Sequence, residues 1–204
     1  MRLGLPWRSE PKPHAPVTAV RFEQTSIALE HVMSRLENAP RCGVLDLGAP
    51  VTANVELYAR HGARITFADF YRFYEPQRPN GASAASVAAT LPATASQVDV
   101  IFAWDVLNYL SLEEIAWLGQ SVRSRCAPGA LLLALVACSG SMPTTPSNHT
   151  IMDERTLRVE ANGSSTRPSP AYSEQALLRS LPGLTVKSRF QLRNSMVEYL
   201  FCWE

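Results

Sequence analysis

Four residues of this 204-residue chain combine a reactive side chain with a suggestive setting: Asp46, Asp69, Asp105 and His149. Asp46 ends the short apolar run "GVLD", and Gly48 follows two positions later. That is the pattern of a Rossmann-type first turn, in which a strand ends where the next helix can face a polar ligand. Glycine in such a turn lets the backbone come close to the ligand. The stretch "VLDLGAPVTAN" keeps Gly48 and then departs from the pattern. Pro50 fixes its own φ and removes an N–H donor, while Val51 and Thr52 add β-branched bulk. Asp69 stands 23 positions after Asp46, close to the interval of about 20 between a first turn and a ribose-binding acid. A carboxylate there has two oxygens for two ribose hydroxyls; the competing role is a plain turn or cap. Asp105 follows the apolar run "VDVIFAW" and has the chemistry to orient or deprotonate an acceptor. His149, in a proline-rich stretch, is a candidate base whose alternative is an ordinary exposed loop residue.

Positioning these groups requires strands and helices in alternation, and the pattern supplies them. Residues 1–20 hold prolines at 6, 11, 13 and 16 without periodicity and read as an extended arm. Phe22, Ala28, Leu29, Val32, Met33 and Leu36 recur at helical spacing, which predicts a helix from Phe22 to Glu37. "CGVLDL" reads as a strand, and "ANVELYARHG" as a helix with Thr52 as its N-cap and Gly62 as its stop. "RITFAD" is the next strand. "GASAASVAATLPATASQ" holds either a short helix with a short edge strand or a loose crossover. "VDVIFAW" is a buried strand, and "SLEEIAWLGQSVRSRCAPG" a helix opened by the capping box Ser111/Glu114 and closed at Pro128-Gly129. "ALLLALVAC" reads as a central strand apolar on both faces, as parallel sheets require. Residues 139–170 read as a long irregular loop or lid with one strand-like island, "TLRVE". A helix from Ser173 to Leu181 and two strand-like runs joined near Arg193-Asn194 complete the chain. The expectation is an α/β protein in which residues 21–204 form a single domain. Its Rossmann-like doubly wound sheet is mostly parallel and ends in an antiparallel hairpin, within a three-layer α/β/α sandwich.

This order of segments resembles the class I S-adenosylmethionine-dependent methyltransferases from about Phe22 to the C-terminus. "VLDLGAP" is similar to the family's first motif and "ITFADF" to its second. "LPATASQVDVIFAWDVLNYL" is similar to the region of the fourth strand, "RSRCAPGALLLALV" to the approach to the fifth, and the last two runs to the terminal hairpin. The resemblance implies S-adenosylmethionine as cofactor, with Asp46, Gly48, Ala49, Pro50, Asp69, Phe70 and Trp104 around it. Asp69 would then take the ribose, and Trp104 would lie at the sulfonium edge, where an electron-rich ring favours a cation. It also implies Asp105 and His149 as catalytic groups acting on an oxygen or nitrogen of a small molecule or peptide. The stretch "SVAATLP" lacks the carboxylate that the family often uses for the adenine amino group, leaving Ser86 or Thr90 a weaker contact. This departure and the altered glycine loop define the alternative: a non-catalytic member of the same fold, acting in regulation or binding a protein partner.

Composition narrows the rest. A net charge of +1 gives no electrostatic footprint for nucleic acid. The four cysteines, at 42, 126, 138 and 202, form no Cys-x-x-Cys pair, so reduced thiols are expected rather than a disulfide framework or a metal site. The longest apolar run, Ala130 to Cys138, is too short to span a bilayer. With no secretory signal in "MRLGLPWRSEPKPHAP", the expected place is the cytoplasm.

Overall fold

The computed structural model describes residues 20–94 and 96–204; the proposed arm lies outside the described residues except for Val20. The first described strand, β1 (Arg21–Thr25), and helix α1 (Ile27–Asn38) replace the single helix expected from Phe22. Ser26 marks the division, because its side chain accepts from the Leu29 N–H as an N-cap. Then come β2 (Gly43–Asp46), α2 (Thr52–Arg60), β3 (Arg64–Phe67), α3 (Phe70–Tyr74), α4 (Ala84–Thr90) and β4 (Val98–Trp104). Thr52 is not the N-cap expected of it; α2 starts at Thr52 after an extended Val51 with no side-chain cap. The Ala/Ser-rich segment holds α4, capped by Ser83 and Ser86, and no edge strand among the described residues.

Helix α5 (Leu112–Arg123) has the expected Ser111/Glu114 capping box but ends before Pro128-Gly129. That pair lies inside a longer strand, β5 (Cys126–Ala137). The segment 139–170 is not an irregular loop: it contains β6 (Ser141–Pro143), β7 (Asn148–Ile151), β8 (Thr156–Glu160) and β9 (Thr166–Pro168). Helix α6 (Glu174–Ser180) and the strands β10 (Leu184–Gln191) and β11 (Met196–Trp203) follow.

The main sheet has the order β10-β11-β5-β4-β2-β3. Pairings β2–β3, β2–β4 and β4–β5 are parallel, and β11 pairs antiparallel with both β5 and β10. The period of two along each central strand divides its side chains between two cores. Val44, Val100, Phe102, Leu131 and Leu133 pack on the side of α1 and α2, with Leu29, Val32 and Tyr58. Leu45, Ile101, Leu132 and Ala134 pack on the other side, with Phe70, Val87, Ile115, Leu118 and Leu177 of α3 to α6. These are the expected three layers. A separate antiparallel sheet, β1-β8-β7, joins the insertion to the strand before α1, with Phe22 opposite Val159 and Val159 opposite His149. Asn54 of α2 fastens this sheet by donating to the His149 carbonyl and accepting from the Ile151 N–H, each at 2.8 Å.

No helix among the described residues is long and apolar enough to cross a membrane. The cysteines are free thiols, and burial pushes those of Cys42 and Cys126 up to about 12.

Candidate functional site

From β2 the chain runs outward to β3 and then returns across β2 to β4. A doubly wound sheet opens its ligand crevice at such a reversal, beyond the carboxyl ends of the strands. Here those ends carry Asp46 and Gly48 after β2, Asp69 after β3, and Trp104 and Asp105 at the end of β4. Backbone bonds from Phe70 N to the Leu47 carbonyl (2.9 Å) and from Asp69 N to the Gly48 carbonyl (3.2 Å) hold the first two turns together. Asp69 and Trp104 both take left-handed backbone conformations, with φ of 41° and 47°. Each turns the chain sharply where a strand ends.

Two cavities meet here, and Asp105 and Ser147 line both. The larger, of about 360 Å³, lies between Gly48, Ala49, Asp69 and Trp104 on one side and Thr145 to Asn148 on the other. Asp69 lines this space, its carboxylate paired loosely with Arg72 of the same lining at 3.5 Å. At its inner end the side chains are closely bonded. Trp104 Nε1 donates to Asp46 Oδ1 at 2.7 Å, the Gly48 N–H donates to the same oxygen at 2.9 Å, and the Tyr58 hydroxyl lies 3.4 Å from Oδ2. Burial pushes the Asp46 carboxyl up to about 7 against the lowering effect of these three donors. The indole stands so near Gly48 that a Cβ added there would lie 2.8 Å from Trp104 Cδ1. The same ring stacks with Phe102 at 4.7 Å and with His149 at 5.0 Å.

The smaller cavity, of about 260 Å³, lies between the β1-β8-β7 sheet and the end of β4. Phe22, Leu135, Met142, Val159 and Met196 give it largely apolar walls, and Asp105 and His149 are at its edge. Asp105 Oδ2 accepts from the Ser147 N–H at 3.0 Å. Asp105 Oδ1 and His149 Nδ1 are both buried with no hydrogen-bond partner. Burial raises the Asp105 pKa, opposed by His149 and by the Ser147 N–H; burial lowers that of His149, opposed by Asp105 and by the Ser147 backbone. Both groups are therefore biased toward their neutral forms, and a neutral imidazole is a competent proton acceptor. Asn108 supports the wall through Nδ2 to the carbonyls of Asp105 and Leu135 and Oδ1 to the Ala137 N–H.

Of the residues singled out in the sequence, Gly48, Ala49, Asp69 and Trp104 line the larger cavity, and Asp46 lies fully buried beneath it. Pro50 is exposed and outside the lining; Phe70 is in the core, stacked on Tyr74 at 5.2 Å. Asp105 and His149, 44 positions apart in the chain, come together. Ser86 and Thr90 are not in the lining, and their hydroxyls are spent within α4. Ser147 and Asn54 had no signal in the sequence, since each acts through a contact formed only when the inserted sheet docks. Among the described residues there is no cluster of three or more His, Cys, Asp or Glu able to hold a metal ion.

No protein-family model and no curated protein matches the chain. Its fold does match solved structures. A S-adenosylmethionine-dependent methyltransferase from Clostridium acetobutylicum superposes with a TM-score of 0.50 at 11% identity, covering 86% of this chain and 90% of that one. The PH0226 protein from Pyrococcus horikoshii gives a TM-score of 0.52 at 12% identity, covering 87% and 88%. The fold is that of the class I S-adenosylmethionine-dependent methyltransferases, as the order of segments implied.

Proposed function

We propose that the protein binds S-adenosylmethionine in the larger cavity and transfers its methyl group to an oxygen or nitrogen of a small molecule held in the smaller one. The observation that carries this reading is the junction of the two cavities at Asp105, with Asp69 on the far wall of the first and His149 on the edge of the second. Asp69 has the two carboxylate oxygens that a ribose diol needs, one of them in a loose 3.5 Å pair with Arg72, at the end of the strand beside the first turn. When bound, the sulfonium supplies an activated methyl group, so the protein's share of the work is alignment and proton removal. His149, as the neutral imidazole, takes the acceptor's proton, and Asp105 orients the acceptor.

A second reading rests on a specific feature. Trp104 fills the space beside Gly48 and is tied to Asp46, and Pro50 to Thr52 stand where further glycines would ease the approach of a ligand. A chain that keeps this arrangement permanently would be a non-catalytic member of the fold, acting in regulation or through a protein partner.

Calorimetric titration with S-adenosylmethionine and S-adenosylhomocysteine, on wild type and Asp69→Ala, separates the two. The enzymatic reading expects both ligands to bind wild type and the variant to bind roughly ten- to a hundredfold more weakly, the cost of a charge-assisted hydrogen-bond pair. Absence of heat and of thermal shift with ligand on the order of millimolar, the weak end of specific binding, would leave the second reading standing.

A further inference from the structure

The smaller cavity has a chemical character of its own, and that character selects an occupant. Among its described lining residues there is no Lys or Arg, and Arg167 lies over the Tyr109 ring with its guanidinium carbon 5.9 Å from the centroid, so a carboxylate or phosphate would enter next to Asp105 with no cation among those residues. Phe22, Leu135, Met142, Val159 and Met196 offer apolar contact instead. Two of its polar side chains, Asp105 and His149, each about nineteen-twentieths buried, leave one atom apiece without a partner. A buried polar atom without a partner costs on the order of 1–3 kcal/mol, so both atoms gain from a ligand that reaches them.

Among the described residues neither atom has a hydrogen-bond partner. Asp105 Oδ2 is taken by Ser147, and the His149 ring is held flat against Trp104 at an interplanar angle of 2°. An occupant with a single N–H or O–H head supplies what is lacking: a hydrogen to donate to one partner and a lone pair to accept from the other when that partner carries the proton. A head without a polar hydrogen fills the volume but leaves the pair as it was.

We infer that the smaller cavity takes a small, apolar-bodied, non-anionic molecule with one N–H or O–H head seated between Asp105 and His149, a phenol or an aromatic amine rather than an acid or a peptide. Calling this molecule the methyl acceptor rests on the function proposed above; its binding does not, because cavity and head-group site are both formed by the protein alone.

The test uses the full chain without cofactor and four probes on one skeleton: 4-propylphenol, 4-propylaniline, 4-propylbenzoate and propylbenzene. Binding is followed through the methionine methyl resonances. Met142 and Met196 line the cavity, whereas Met33, on α1, is not among its lining residues and serves as the internal control. The phenol and the amine are expected to shift Met142 and Met196 and leave Met33 unmoved. The benzoate should bind about tenfold or more weakly for want of a counter-charge, and propylbenzene about tenfold more weakly for want of a donor. Equal or tighter binding of the benzoate or of propylbenzene would overturn the inference, as would probes that leave both lining methionines unchanged. If the probes discriminate as expected while S-adenosylmethionine gives no heat, the cavity's selectivity stands and the methyl-transfer reading falls. If the cofactor binds and the probes do not discriminate, the reverse holds.

Discussion

Trp104 and Asp105 are neighbours in the chain, yet they belong to opposite kinds of site. On the Trp104 side the polar groups are matched: its indole N–H and the Gly48 N–H converge on one oxygen of Asp46, with Tyr58 near the other. On the Asp105 side one carboxylate oxygen and one imidazole nitrogen are buried and unmatched, at the edge of a cavity. A matched buried group stabilises the fold it sits in, while an unmatched one costs stability unless something binds it. The Asp46 side is thus expected to be read out in stability and the Asp105 side in binding. Mutations that exchange these outcomes would break the comparison.

The largest effect is expected on the matched side. Asp46→Ala leaves two donors, the buried Trp104 Nε1 and the half-buried Gly48 N–H, without acceptors, and should cost about 2–4 kcal/mol in urea denaturation. A loss below about 0.5 kcal/mol, the level of an ordinary surface substitution, would show that the Asp46 cluster does not hold the two strand ends together.

The next effect concerns pH. The Asp46 carboxyl, raised by burial to about 7 from 3.8 in the unfolded chain, binds its proton more tightly when folded. Its contribution to stability is complete below pH 3.8 and is lost as pH rises through the window from about 4 to about 7. The slope in that window is at most about 1.4 kcal/mol per pH unit. Asp46→Asn keeps an acceptor for both donors and removes the titration, so its stability should be flatter across the same window than that of wild type. Parallel curves for the two proteins would contradict this.

The smallest effect on stability is expected on the unmatched side. Asp105→Asn retains an oxygen for the Ser147 N–H, and His149→Phe retains the stack on Trp104. Each should change stability by less than about 1 kcal/mol, or raise it, because a buried unpaired group is lost. Binding of 4-propylphenol should weaken in both. A drop in stability comparable to that of Asp46→Ala would mean that these groups are structural after all.

The central strands were legible in the sequence because β4 and β5 are apolar on both faces and cannot belong anywhere but the middle of a sheet. α5 was legible from Ser111 and Glu114, which form the capping box in the structure. The inserted sheet was not. β7 is four residues, Asn148–Ile151, with no apolar alternation, and it is a strand because β8 and Asn54 pair with it. β1 reads as helix in the sequence because Phe22 falls seven positions before Leu29, two helical turns away, and so fits the repeat by chance; its partner, β8, lies more than a hundred residues away. The candidate site shows the same division. Gly48 and Asp69 could be found from local pattern, being tied to strand ends. The meeting of Asp105 with His149 could not, since it depends on how that insertion docks. Nor could the position of Trp104 against Gly48, which is set by contact between two strand ends.

The most direct measurement is the crystal structure of the protein with S-adenosylhomocysteine. The account predicts the ribose hydroxyls within hydrogen-bond distance of Asp69 and the remainder of the ligand in the cavity beside Gly48 and Ala49. A crystal grown at saturating ligand with that cavity empty, and Trp104 still bonded to Asp46, would contradict it.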